Sequence, residues 1–244
     1  MILRGRTILI TGGTSGIGRS LALELDRAGN SVIICGRDQD RLAAVRDQAP
    51  SIVTRRCDLA SAEQREELAE WLVKEHPALD TLMNNAAVQY RFDVTQPIDL
   101  VRTQHQIEVN LVAPLHVSSL LASHLAARPG AAIVNMTSAL AFLPLVEIGL
   151  YSATKAAMHS LTISMRYQLK GLGIQVVEIL PPKVDTMIGA ELREDPTQTQ
   201  GGMPVPEFVV QALAGLESGS DEILIGLAVR AKADPEAVFR TLND

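Results

Sequence analysis

The sequence predicts a doubly wound α/β fold, with seven mostly parallel strands and helices on both faces. Three observations carry this. Short β-branched runs alternate with helical patterns, as strand–crossover–strand units do. The runs are apolar throughout rather than at alternate positions, as in strands buried on both faces. The first run opens into a glycine-rich turn and a helix, "TGGTSGIGRSLALEL", the arrangement that cradles a phosphate.

The strand runs are 7–11 (TILIT), 31–35 (SVIIC), 52–57 (IVTRRC), 79–83 (LDTLM), 131–137 (AAIVNMT), 174–180 (IQVVEIL) and 222–226 (EILIG). The first helix starts at glycines and stops at Gly29, a residue suited to a C-terminal cap. Ser61 with Gln64 three residues on forms a capping box for a helix over 61–76. Further helices are expected near 99–127, 150–170, 205–217 and 234–242. The polar, Gly- and Pro-bearing stretch 191–204 reads as part of a mobile loop over about 187–204. Residues 1–244 then form a single domain, with a cofactor half of about 1–130 and a catalytic half of about 131–244.

Composition narrows the function. Of the 244 residues, 47% are hydrophobic, which supplies a real core. The net charge of −6, from 28 acids against 22 bases, argues against nucleic acid or an anionic membrane as partner. No uninterrupted apolar run approaches ~18 residues, so no spanning helix is expected. The start "MILRGRTILITGG" lacks the long apolar core of a secretory signal. Cys35 and Cys57, with no C-x-x-C, fit a reducing, cytoplasmic setting. They read as buried free thiols, placed near the ends of neighbouring strands where oxidation could link them.

Gly12, Gly16 and Gly18 give G-x-x-x-G-x-G, with Leu21 where the commoner fingerprint has its last glycine. Glycine permits the sharp turn and the close approach to a pyrophosphate, and the helix start offers free N–H groups. An acid at the end of the second strand would mark NAD. Gly36 and Arg37 stand there instead, which favours a 2′-phosphate and NADP(H), with NAD(H) second. Asp38 either interferes or caps the next helix. Asp58, ending the third strand, reads equally as an adenine acceptor or as a helix cap. The small residues of "NNAA" (84–87) let a cofactor lie on the backbone while the amides fix the turn.

Together "TGGTSGIG", "NNA", Asn110 in "EVNLVAP", Ser138 in "VNMTSA", "YSATK" and "PPKVDT" resemble, in order and nearly end to end, the single-domain short-chain dehydrogenases/reductases. "ALAFLP" and "YSATKAAMHSLTISMRYQL" are most similar to the subgroup named after an oxidoreductase of the D-alanyl-lipoteichoic-acid cluster. The resemblance implies a Rossmann-type sheet of order 3-2-1-4-5-6-7. It implies cofactor contacts from Gly12, Thr14, Ser15, Gly16, Ile17, Gly18, Arg37, Asp58, Leu59, Asn85, Ala86, Pro181, Val184 and Thr186, with Tyr151 and Lys155. It implies that Asn110 holds a water linking Lys155 to solvent. Pro182 replaces the family's usual glycine.

The chemistry agrees. Hydride transfer to a carbonyl needs a proton as well, and Tyr151 is the candidate acid/base. A free phenol titrates near ~10, too high for a base at neutral pH. Lys155, one helical turn on, supplies the charge that lowers it. Ser138 donates to the substrate oxygen. The substrate wall is expected from 139–150, including Leu140, Phe142 and Leu143, from 88–93 with Tyr90 and Arg91, and from the loop after Thr186. It suits a moderately apolar small-molecule alcohol, ketone or aldehyde. None of the five histidines has metal-ligand spacing. Ala153, Ala156, Ala157, Ser160 and Ser164 form a face of small residues for packing against the chain's own sheet or, as in similar proteins, for a homodimer or homotetramer. The rival readings are a dinucleotide-binding regulator without turnover, and an epimerase or dehydratase, for whose longer substrate domain the chain has no room.

Overall fold

The structure is a computed structural model that describes residues 3–91, 93–190, 195, 197–199 and 201–243. Its strands are β1 (Thr7–Thr11), β2 (Ser31–Gly36), β3 (Val53–Arg56), β4 (Thr81–Asn84), β5 (Ala132–Met136), β6 (Gln175–Leu180) and β7 (Glu222–Leu224). They form one sheet in the order β3-β2-β1-β4-β5-β6-β7. Every pairing is parallel, so the expected order holds and "mostly parallel" becomes wholly parallel.

The helices are α1 (Gly16–Arg27), α2 (Gln39–Gln48), α3 (Ala62–Glu75), α4 (Leu100–Ile107), α5 (Ala113–Ala126), α6 (Gly149–Lys170), α7 (Val205–Glu217), α8 (Leu227–Ala233) and α9 (Pro235–Asn243). A π-helical turn, Glu108–Val112, joins α4 to α5. Gly29 ends the first crossover with φ +85°. The capping box is half made. Ser61 accepts from the Gln64 N–H at 3.2 Å, but the Gln64 side chain accepts from the Asp58 N–H at 2.8 Å rather than from Ser61.

Alternation within each strand builds two cores. Ile8, Ile10, Val32 and Ile34 pack under α1, α2 and α7, against Leu21, Val45 and Phe208. Leu9, Ile33, Leu82 and Ile133 pack under α3, α5 and α6, against Leu72, Leu121 and Met158. By length and composition alone the continuous helical stretch Leu100–Ala126 is apolar enough to cross a membrane. Here its residues Ala113, Val117, Leu121 and Leu125 are committed to the second core. Of the loop expected over 187–204, residues 191–194, 196 and 200 lie outside the described residues. Its two ends are tied by a parallel bridge between Val184 and Met203.

Candidate active site

Strand order reverses at β1, between β2 and β4. Crevices in such sheets open at the carboxyl ends of the strands, beside the switch point. A cleft of about 820 Å³ lies there.

Its floor is the glycine loop. Gly12 has φ +66°, and a Cβ there would sit 2.9 Å from the Ala86 Cα. A Cβ on Gly18 would meet the Asn85 Nδ2 at 2.4 Å and the Gly12 carbonyl oxygen at 2.5 Å. Helix α1 therefore starts hard against the loop. Ser15 precedes it in extended conformation and makes no side-chain cap bond, so the side chain leaves the first-turn N–H groups to other acceptors. Thr14, Ser15, Gly16, Ile17 and Gly18 all line the cleft, as do Asn85 and Ala86. Asn85 Nδ2 donates to the Thr11 carbonyl at 2.9 Å, and its N–H to the Thr11 hydroxyl at 3.0 Å, which fixes the turn after β4.

At one end stand Gly36, Arg37, Asp58 and Leu59. Asp38 does cap α2, accepting from the Arg41 N–H at 3.1 Å, and it pairs with the Arg41 guanidinium at 3.1 Å. Arg41, unremarked in the sequence, is a second guanidinium on this wall. Asp58 is not the cap of α3; Ser61 is, and Asp58 accepts from the Ala60 N–H at 3.0 Å. Gly36 is small for a reason beyond openness: a Cβ there would meet the Thr14 Cγ2 at 2.8 Å. Cys35 and Cys57 are buried free thiols, and burial pushes Cys35 far up and Cys57 to about 11.

At the other end Ser138, Tyr151, Lys155, Pro181, Pro182, Val184 and Thr186 share the wall. Ser138 follows β5 and accepts from the Leu140 N–H at 3.1 Å. Tyr151 lies in the first turn of α6, and burial pushes its phenol up. The Lys155 ammonium sits 5.6 Å from the Tyr151 ring centre and donates to the Met136 carbonyl at 2.9 Å. Burial lowers its pKa to about 8, with Glu178 pulling the other way. The bridge to Met203 is made by the Lys183 carbonyl and the Asp185 N–H, so the Pro-Pro variant leaves Val184 and Thr186 at the cleft.

Asn110 occupies the π turn, which accounts for an amide inside a long helix. It stands behind the cleft rather than on its wall. Its Oδ1 accepts from the Val88 N–H at 2.8 Å, and its Nδ2 donates to the Val88 carbonyl at 2.9 Å and the Thr154 hydroxyl at 3.2 Å. Val88 lines the cleft, so Asn110 ties that wall to α6.

The substrate wall needs correction. Leu140, Phe142 and Leu143 pack with Ala228 and Ala231 of α8, not on the cleft. Arg91 is exposed, 3.8 Å from Glu147, and Phe92 lies outside the described residues. The wall consists of Gln89 and Tyr90, His105, and the residues after Thr186, Met187 to Ala190. Tyr90 and His105 are hydrogen-bonded at 2.8 Å, so this wall is more polar than expected. Of the small residues of α6, Ala153, Ala156, Ser160 and Ser164 are exposed and Ala157 is half-buried, so four of the five are turned away from the chain's own sheet.

One residue passed over in the sequence, Glu178, lies behind the site with His159, which the sequence offers only as a histidine without metal-ligand spacing. Glu178, on β6, is wholly buried and bonded to His159 of α6. An acid within "QVVEIL" was the available signal, because a carboxylate in a doubly covered strand requires a partner.

A cleft with a phosphate-type loop at the switch point and a Ser, Tyr and Lys on its opposite wall is the hallmark of one enzyme family. The model of the short chain dehydrogenases matches residues 6–197, and the chain belongs to that family of oxidoreductases. Among its relatives is the "uncharacterized oxidoreductase DltE" of Bacillus subtilis, 42% identical over 100% of this chain and 98% of that one. A short chain dehydrogenase from Burkholderia cenocepacia, solved in complex with NADP, superposes with a TM-score of 0.84 at 27% identity, covering 99% of each chain. One from Sphingobium yanoikuyae, in complex with NADPH, gives 0.83 at 27% identity, covering 97% of this chain and 94% of that one.

Proposed function

We propose that this oxidoreductase interconverts a small carbonyl compound and its alcohol with NADP(H), and that Tyr151 carries the proton. The observation that carries this reading is the placing of Ser138, Tyr151 and Lys155 on the same cleft as the glycine loop. The cleft fits a dinucleotide: the loop leaves no room for side chains at Gly12 and Gly18, and α1 begins without a side-chain cap. The bound nicotinamide would accept or give the hydride. Arg37 would take a 2′-phosphate, which makes NADP(H) the first choice and NAD(H) the second. The relatives solved with NADP and NADPH agree with that order.

Tyr151 gives its proton to the substrate oxygen in reduction and takes it back in oxidation. Ser138 donates to the same oxygen as charge grows there. The buried phenol holds its proton too tightly for a base, and the Lys155 ammonium is the chain's own means of loosening it. Asn110 keeps the Val88 wall in place. The Tyr90–His105 pair faces the remainder of the substrate, so a polar substituent on it is accommodated. The whole chain acts as one domain in the cytoplasm. It assembles as a homodimer or homotetramer through the outward small-residue face of α6, next to exposed Ile163 and Tyr167.

Tyr151→Phe tests the reading. In a screen of carbonyls and alcohols followed by NADPH absorbance, wild type turns over and the variant falls by about a hundredfold to ten-thousandfold while still binding NADPH. Undiminished turnover in the variant refutes it. NADPH binding without turnover of any substrate by wild type would favour a cofactor-binding regulator.

A further inference from the structure

Helix α6 carries Tyr151, Lys155 and His159 at i, i+4 and i+8, one ridge along a single face. The ridge therefore extends one turn past the lysine. His159 ends on Glu178: its Nδ1 donates to the two carboxylate oxygens at 2.8 and 3.0 Å. The Thr137 hydroxyl donates to the same carboxylate at 2.6 Å. Thr137 stands between Met136, whose carbonyl holds the Lys155 ammonium, and Ser138 on the cleft. The carboxylate is thus one residue away from both.

We propose that Glu178 and His159 are a positioning pair that keeps Lys155 protonated behind the cleft, with His159 as its contact with solvent. The catalytic consequence rests on the role proposed above for Lys155; the coupling does not. A wholly buried carboxylate is tolerable only when paired. Its imidazole partner keeps 20% of its side chain exposed, so it exchanges protons with water while Glu178 does not. The other charged groups facing His159 are Glu222 of β7 and Lys232 of α8, ion-paired with each other; Lys155 lies one helical turn before it on α6. The Phe142 ring closes the site at 5.1 Å from the imidazole.

His159, Glu178 and Glu222 also present ligand atoms within 4.8 Å of one another. Glu178 already accepts from His159 and Thr137, and Glu222 is paired with Lys232, so the arrangement is that of a satisfied hydrogen-bond network. The electrostatics follow the geometry. Glu178 raises the pKa of His159 chiefly through their hydrogen bond, and it opposes the loss of the Lys155 proton to burial.

The test uses the full chain with labelled lysine and histidine, titrated by NMR without substrate. In Glu178→Gln the Lys155 Cε midpoint falls by about half a pH unit or more, a threefold weaker hold on its proton, and the His159 midpoint falls with it. Unchanged midpoints in the folded variant overturn the proposal. If Glu178→Gln does not fold, His159→Gln decides. It keeps a donor to the carboxylate, and it erases from the Lys155 curve the inflection at the His159 midpoint; an inflection that persists overturns the proposal. A coupled titration in a protein that turns over no substrate counts against the proposed function and leaves the pair standing.

Discussion

Burying Lys155 has a measurable cost in stability that depends on pH. Its folded pKa is lowered to about 8, chiefly by desolvation, from an ordinary 10.5. Between those values the unfolded chain holds the proton and the folded one does not. Unfolding therefore takes up a proton, and stability rises with pH across that window. Below pH 8 both states are protonated and the penalty is constant. Tyr151 acts in the opposite sense above its ordinary 10.0, because its folded pKa is raised. The clean window is pH 8 to 10, two units at about 1.4 kcal/mol each, or about 3 kcal/mol. The buried thiols also titrate high and lower stability above pH 9, but they do so equally in wild type and variant. Lys155→Met removes the ammonium and keeps the stem. Urea unfolding at pH 8, 9 and 10, read from the single tryptophan, Trp71, gives the difference directly. Wild type should gain about 3 kcal/mol on the variant across the window. Parallel pH dependences would show that Lys155 is not desolvated as the geometry requires.

Further outcomes test other parts of the site. Gly18→Ala drives a methyl group into the backbone carbonyl of Gly12, which cannot rotate away. Thermal and urea unfolding should show a loss of about 1–3 kcal/mol, and NADPH affinity should fall with it; an unperturbed loop would refute the close packing. Arg37→Ala removes a guanidinium from the end of the cleft. Fluorescence titration should show NADPH weakened about tenfold to a hundredfold, as for a lost charged hydrogen bond, with NADH nearly unchanged. Equal losses would refute the cofactor preference.

What was legible in the sequence was whatever depends on local pattern. β1 came out at the residues expected, because a run of β-branched residues around Leu9, bounded by Gly12, admits little else. The helix at 205–217 was equally plain. Helix α8, seven residues long and without a side-chain cap, was not seen, because so short a helix depends on the contacts it makes. Asn110 was visible as an oddity within a helix, but its clasp of Val88 was not. In the sequence Asp38 and Asp58 each admit two roles, and only the positions of Arg41, Ala60 and Ser61 show that Asp38 caps α2 and that Ser61, not Asp58, caps α3.

The sequence by itself determined the alternation of elements, the glycine loop and the spacing of Tyr151 and Lys155. These are matters of steric allowance and helical period, and they act over a few residues. Only the tertiary structure decided what lies beside them. It turned Phe142 away from the cleft, brought Tyr90 to His105, and set Glu178 of β6 against His159 of α6. Such partners are remote in the chain, and burial, hydrogen bonding and charge choose among them only once the sheet has brought their strands and helices together.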